Sequence, residues 1–280
     1  MNYFKVKSYA KINLALNVIG KKKNFHKIES IVSFLNFYDE ILIKKSKINN
    51  HQVKFTGNFS SFIKPKNTVS KLLKILDEKK LIKHKYHIII KKNIPSKAGL
   101  GGGSMNAAAI LNFFLKKNKI KLSNKELIGI CDLIGFDVKL GIYSKNLIIR
   151  SDNSIKSISI KKRIFLLIVK PNFGCSTKKI YSKVSKYSKA IFNRPNKHMF
   201  SLKFLKSMKN DLELIAINQY QKLNSLKNFL EKLHHVEFVR MTGSGSSFIA
   251  YFNSDIKCKD AEKKVKKQFK NYWCKTSKTI

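Results

Sequence analysis

Between Pro95 and Ala109 the chain reads P-S-K-A-G-L-G-G-G-S-M-N-A-A-A, and this stretch constrains the fold more than any other. Gly99, Gly101, Gly102 and Gly103 fall within five residues, and Ser104 and an Ala-rich helical run follow them. Just before it, His87-Ile88-Ile89-Ile90-Lys91 reads as a strand. A strand, a glycine turn and a helix opening at a Ser build an anion site from backbone alone. Glycines reach positive φ and admit a close approach. The helix start adds unpaired N–H groups and the positive end of the dipole. The expected occupant is a nucleotide phosphate, cradled by Pro95, Ser96, Lys97, Ala98, Gly99, Leu100, Gly101, Gly102, Gly103, Ser104 and Met105. A plain turn with a helix cap is the alternative, but such a turn seldom needs four glycines.

Spelling separates this turn from other glycine loops. A Walker loop ends in G-K-[ST], whereas Gly103 precedes Ser104-Met105. A dinucleotide fingerprint begun at Gly99 would need a sixth-position Gly where Ser104 stands.

The formal charge of +42 suggests a polyanion partner, yet only four of the 58 basic residues are Arg. Arg is the residue that forks onto phosphates and reads bases. The lysines run from Lys5 to Lys278 without gathering in one tail, so the excess reads as compositional drift. The field still draws in anionic substrates and causes salt-sensitive, non-specific binding to nucleic acid. At 280 residues the chain can build two modest lobes. Cys131, Cys175, Cys258 and Cys274 are far apart and show no zinc spacing, which suggests reduced thiols. Lys5, Lys7 and Lys11 interrupt any apolar leader, and no run approaches a membrane span. A cytoplasmic protein with no membrane partner is expected.

Apolar spacing predicts strands within 3–19, at 39–45 and at 53–56, then a helix over 69–76. A helix over 107–115 follows the glycine turn. Ser123 and Glu126 have capping-box spacing and open a helix through Ile134, which Gly135 stops, leaving Asp137 on a loop beyond it. Near 151–162 polar residues replace the apolar pattern, suggesting lobes at 1–155 and 156–280. A buried strand is expected over 164–169, and helices at 177–188, 201–208, 211–219 and 221–234. Strands at 236–241 and 248–252 flank a second glycine turn, Thr242-Gly243-Ser244-Gly245-Ser246, and a helix over 261–269 closes the chain. The class is α+β.

Three motifs in this order resemble the GHMP kinases: Tyr9-Ala10-Lys11-Ile12-Asn13-Leu14, the Pro95–Ala109 segment, and Met241-Thr242-Gly243-Ser244-Gly245. Asn24-Phe25-His26 and Gly135-Phe136-Asp137-Val138 are further similar to one branch of that family. The resemblance implies a two-lobed fold, with an N-terminal lobe like the second domain of ribosomal protein S5 and a ferredoxin-like C-terminal lobe. It also implies ATP as co-substrate, Mg²⁺, and transfer of the γ-phosphoryl to the 2-hydroxyl of a CDP-bound methylerythritol in non-mevalonate isoprenoid synthesis. A small-molecule substrate, no specific nucleic acid, and a monomer or weak homodimer go with it. Another GHMP kinase, of the homoserine or mevalonate type, stays open, as does a basic nucleic-acid-binding protein.

Residue by residue, the resemblance assigns Asp137 as the group that takes the alcohol's proton and Lys11 as its catalytic partner. A cation there offsets charge on the transferring phosphoryl. Strand alternation puts Asn13 on the face of Lys11, where it can hydrogen-bond the substrate alcohols. Phe25 and His26 match a pair used on the cytosine ring, although relatives usually carry Tyr at the first position. Thr177 matches a substrate-cleft Thr, with helix capping as its alternative. Gly243, Ser244 and Gly245 are expected to pack on the first turn and to contact substrate phosphates, with a plain hairpin as alternative. No metal ligands are assigned. Lys97, at a position that is small in relatives, and Lys139-Leu140-Gly141, where relatives place Pro and aromatics, depart from the family pattern.

Overall fold

A computed structural model of the chain describes residues 2–23, 25–61, 63–117, 119–143 and 145–280. In chain order it runs β1 (Phe4–Lys22), β2 (Phe25–Lys45), β3 (Gln52–Thr56), α1 (Thr68–Glu78), β4 (Tyr86–Lys91), α2 (Gly102–Lys116), α3 (Asn124–Ile134) and α4 (Phe136–Tyr143). Next come β5 (Asn146–Ile149), β6 (Ile155–Ile158), β7 (Phe165–Lys170), α5 (Thr177–Tyr181), α6 (Leu202–Lys206), α7 (Asp211–Gln219) and α8 (Lys222–Glu231). The chain ends with β8 (Phe238–Met241), β9 (Phe248–Phe252), α9 (Asp255–Gln268) and β10 (Trp273–Lys278). These elements form two compact units. The first takes Met1–Ala10, Phe37–Ser96 and Gly101–Ser144, and the second takes Lys11–Asn36, Lys97–Leu100 and Lys145–Ile280.

In the first unit the C-terminal half of β2 pairs antiparallel with β4, from Glu40↔Lys91 to Lys45↔Tyr86. β3 runs parallel to β4 on its other side. Helices cover the sheet because their apolar stripes match it: Leu72 and Leu76 of α1, Ile110, Leu111 and Phe114 of α2, and Ile130 of α3 pack with Ile41, Ile43, Ile88 and Ile90. Asn67 caps α1, accepting from the amides of Val69 and Ser70, and Ser70 completes a capping box. The expected Ser123–Glu126 capping box is present at α3.

In the second unit β2 pairs antiparallel with β5, through Ser30↔Ile149, and β5 pairs with β6. Its other sheet has the order β10-β7-β9-β8, all antiparallel. Numbered along the chain, that order is 4-1-3-2, with helices connecting the first and second strands and the third and fourth. This is the ferredoxin-like arrangement. Leu212 and Ala216 of α7, Leu223, Leu226 and Leu230 of α8 and Val265 of α9 pack with Leu167, Val169, Met241, Phe248 and Ala250.

Some expected elements shift. The helix foreseen over 177–188 ends at Tyr181, and the last helix starts at Asp255 under a Ser254 cap, six residues earlier than expected. Asp137 does not lie on a loop: Gly135 ends α3 and the chain re-enters a helix at once, placing Asp137 in the first turn of α4. Cys131, Cys175 and Cys258 are free and buried. Burial pushes their thiols up to about 11, about 11 and about 12, respectively.

Candidate active site

The first unit contributes the helix side of the glycine turn. α2 begins at Gly102, two residues ahead of the expected Ser, and the cap position is Gly101 at φ 69° with no side-chain cap bond. A left-handed cap suits Gly and leaves the first-turn amides pointing out of the helix end without a competing side chain. Thr68 braces this turn, donating from its hydroxyl to the Gly103 carbonyl at 2.6 Å. Pro95 and Ser96 lead into the turn from β4. Ser104 lies in the first turn of α2 and is partly exposed, while Met105 is buried and its amide donates to the Gly101 carbonyl.

Asp137 sits half-buried one helical turn before Gly141 on the same face of α4. Gly141 is where α4 meets α2: a Cβ there would come within 2.5 Å of the Ala108 Cβ and 3.1 Å of the Met105 Sδ. Asn112 fixes the end of α4 by donating to the Gly141 and Ile142 carbonyls. The departures from the family pattern are explained locally. Lys139 pairs with Asp132 at 2.8 Å, Leu140 is core, and Gly141 makes room for the Ala108 and Met105 side chains of α2.

The second unit brings Lys11, Asn13, Gly99 and the second glycine turn together. The Lys11 ammonium donates to Asn13 Oδ1 at 2.8 Å, as their shared strand face requires. Asn13 Nδ2 donates to Ser30 Oγ, and the Asn13 amide donates to Thr242 Oγ1 at 3.0 Å. Thr242 in turn donates to the Gly99 carbonyl at 3.2 Å. The Lys11 amide also donates to the Leu100 carbonyl. Both faces of β1 are buried here: Lys11 and Asn13 are 4% and 3% exposed, and Ile12 and Leu14 are fully buried. The second turn packs on residues 97–100, as expected. A Cβ on Gly99 (φ +72°) would overlap the Thr242 carbonyl oxygen, and one on Gly243 would lie 3.4 Å from the Gly99 carbonyl oxygen. Ala98 and Leu100 are buried, and Lys97 adopts a φ of 51° with its Cβ against Gly174.

Around this centre, Thr177 Oγ1 and Ser244 Oγ are 2.8 Å apart. The cap of α5 is Ser176, so the Thr177 hydroxyl is not used in capping. Tyr181, one turn further along α5, meets the His26 ring at 5.1 Å between centroids. Burial lowers the His26 pKa below the ordinary 6.5, and the nearby Lys21 charge lowers it further. Phe25 is 79% exposed, and Asn24 lies outside the described residues. Gly245 lies over Cys175, its Cβ position 3.2 Å from Sγ.

Sequence reading missed Thr242, Ser30, Tyr181 and Asn210 as parts of this site. Asn210 Nδ2 donates to the Met241 and Gly243 carbonyls, at 2.8 Å each, and so shapes the second turn. Its signal was a helix cap: Asn210 Oδ1 accepts from the Leu212 amide at the head of α7. A wide groove of about 1250 Å³ on the second unit, lined by Lys186, Lys206, Asp211 and Arg240 among others, includes none of the expected site residues.

An uncapped glycine turn opening α2, a second glycine turn closing on Gly99, and a ferredoxin-like sheet together define the GHMP kinase class. The model of the GHMP kinases N terminal domain matches residues 67–144. A 4-diphosphocytidyl-2-C-methyl-D-erythritol kinase from Pelagibacter ubique (strain HTCC1062) is 51% identical over the full length of both chains. The enzyme of the same name from Clostridium tetani (strain Massachusetts / E88) is 31% identical, covering 99% of this chain and 100% of its own. A crystal structure of 4-(cytidine 5'-diphospho)-2C-methyl-D-erythritol kinase superposes with a TM-score of 0.77 at 19% identity, covering 98% of this chain and 99% of that one. The chain belongs to the 4-diphosphocytidyl-2-C-methyl-D-erythritol kinase family.

Proposed function

We propose that this enzyme transfers the γ-phosphoryl of ATP to the 2-hydroxyl of 4-diphosphocytidyl-2-C-methyl-D-erythritol. The observation that carries the reading is the hydrogen-bonded run from Lys11 through Asn13 and Thr242 to Gly99, which joins three motifs up to 229 residues apart in sequence. The amides from Gly99 to Ser104 take the ATP phosphates, using the glycine turn and the uncapped start of α2. Asp137 accepts the proton of the attacking hydroxyl, whose oxygen forms the new bond to the γ-phosphorus as ADP leaves. Lys11 offsets the charge carried by the transferring group, and Asn13 holds it by the bond to its Oδ1. Gly243, Ser244, Gly245 and Thr177 contact the substrate diphosphate and sugar chain.

Among the described residues no group of three or more His, Cys, Asp or Glu side chains forms a metal cage. Mg²⁺ keeps several waters and binds largely through substrate phosphates, so it would arrive with the triphosphate. The Ser104 hydroxyl would complete its shell, and the ion neutralises triphosphate charge when bound. Among the described residues no helix is long and apolar enough to cross a membrane. The proposed setting is cytoplasmic, with a soluble small-molecule substrate and a monomer or weak homodimer.

Phe25 stacks on the cytosine and His26 hydrogen-bonds it. Phe25→Ala is expected to raise the KM for the cytidine substrate roughly tenfold with little change in kcat. An unchanged KM removes the stacking role. Because burial and the Lys21 charge hold the His26 pKa below the ordinary 6.5, its neutral ring persists to lower pH than that of a free imidazole. Any change in that KM that depends on His26 should therefore have its midpoint below 6.5. An inflection above 6.5 that vanishes in His26→Gln would contradict this assignment.

The whole reading is tested by incubating the protein with ATP, Mg²⁺ and the cytidine substrate and identifying the product by mass spectrometry and phosphorus NMR. The 2-phosphate and ADP are expected. Preferential phosphorylation of homoserine or mevalonate supplied in parallel would overturn it.

A further inference from the structure

The first unit buries one ion pair that the reading above does not use. Asp39, in β2, is fully buried, and the Lys92 side chain, just past β4, is 2% exposed. Lys92 Nζ donates to Asp39 Oδ2. Asp39 Oδ1 meanwhile accepts from the amides of Asn93 and Ile94, at 2.7 and 2.8 Å. The carboxylate is thus bound on both oxygens by the three residues that lead into Pro95 and the glycine turn. The Lys92 amide donates to the Thr56 carbonyl, and the following Gly57, at φ +86°, lies so close that a Cβ there would meet the Lys92 carbonyl oxygen at 2.8 Å.

The other end of the pair faces α2. A Cβ on Gly102, the first helical residue, would lie 3.3 Å from Lys92 Nζ and 3.1 Å from Ile94 Cγ2. No Asp39 atom is among its three nearest neighbours. The pair is therefore a buried dipole whose positive end touches the head of the helix. It adds to the helix's own positive end at the place where an anion is held, and so little water reaches the ammonium that screening there is weak.

We infer that Asp39 and Lys92 are a positioning pair for the triphosphate. Asp39 fixes the backbone of residues 92–94, and Lys92 holds a desolvated positive charge behind the first turn of α2. The inference rests on the kinase reading, because it needs a phosphate at that turn. Neither side chain has to touch the nucleotide. Lys92 acts through the helix end, and a smaller Gly102 contact surface is what lets it approach.

The test is equilibrium binding of a non-hydrolysable ATP analogue to the full chain by calorimetry, with the Tm and steady-state constants of each variant. The double change Asp39→Asn with Lys92→Met removes both charges yet keeps an oxygen for the two amides. A buried pair replaced as a whole is commonly neutral for stability, so the Tm should stay near that of the parent. The analogue Kd and the ATP KM should rise about tenfold with kcat much less affected. The single change Asp39→Asn gives a second readout, of stability. It lowers the Tm, because one partner of a buried pair is left without the other, and the double change restores it.

A purely structural pair would lower affinity only in step with stability. A double variant of normal Tm and unchanged Kd overturns the inference and leaves the kinase reading standing. So does a single variant whose Tm is no lower than that of the double variant. Failure of the unaltered protein to bind the analogue at all removes both.

Discussion

Asp137→Asn is expected to cut kcat by at least about a hundredfold while leaving ATP-analogue affinity nearly unchanged. The amide keeps the shape of the side chain but cannot accept the hydroxyl proton. The position is held by helix packing: Gly141, one turn on, lies against Ala108 and Met105, and Asn112 ties down the end of α4. Substitution should therefore leave the fold alone, and circular dichroism with a thermal scan would confirm an unaltered Tm. A variant that folds, binds the analogue and turns over at the parent rate would take the proton-accepting role away from Asp137.

The second large effect is expected at Gly99. Its φ of +72° already disfavours any side chain, and a methyl would run into the Thr242 carbonyl oxygen. Backbone cannot swing aside as a flexible side chain can, so the turn or the Thr242 segment must move. Gly99→Ala should cost about 3 kcal/mol of stability from left-handed strain and overpacking combined. Because Thr242 also accepts from the Asn13 amide, the displacement reaches Asn13 and its bond with Lys11, and kcat/KM should fall by well over tenfold. Gly20→Ala in the same unit is the control. An added Cβ there meets nothing within 4 Å, and stability should change by less than about 0.5 kcal/mol. Equal urea midpoints for the two variants would refute the argument.

How much could be read from sequence depended on whether a signal was local. The glycine turn, the Ser123 capping box and the shared face of Lys11 and Asn13 all follow from neighbours a few residues apart, and all were visible. The alternation of β1 showed the pairing of those two side chains but not that both faces of the strand are buried. The early half of β2 gave no strand signal because Ile31, Val32, Phe34 and Leu35 are all core, which erases the two-residue period. α9 was foreseen late because, over its first half, only Cys258 and Ala261 face the core among exposed lysines and acids. Gly135 looked like the start of a loop, since a helix that resumes one residue later leaves the same punctuation. Thr242 and Asn210 were invisible as site residues, because their partners lie on strands and turns distant in sequence.

The three deeply set cysteines have a practical consequence. With thiols pushed to about 11 or higher, almost no nucleophilic thiolate forms near neutrality, and an alkylating reagent must wait for the surrounding packing to breathe. Cys131 belongs to one unit and Cys175 and Cys258 to the other, so their separate labelling rates act as resident stopwatches for the opening of each.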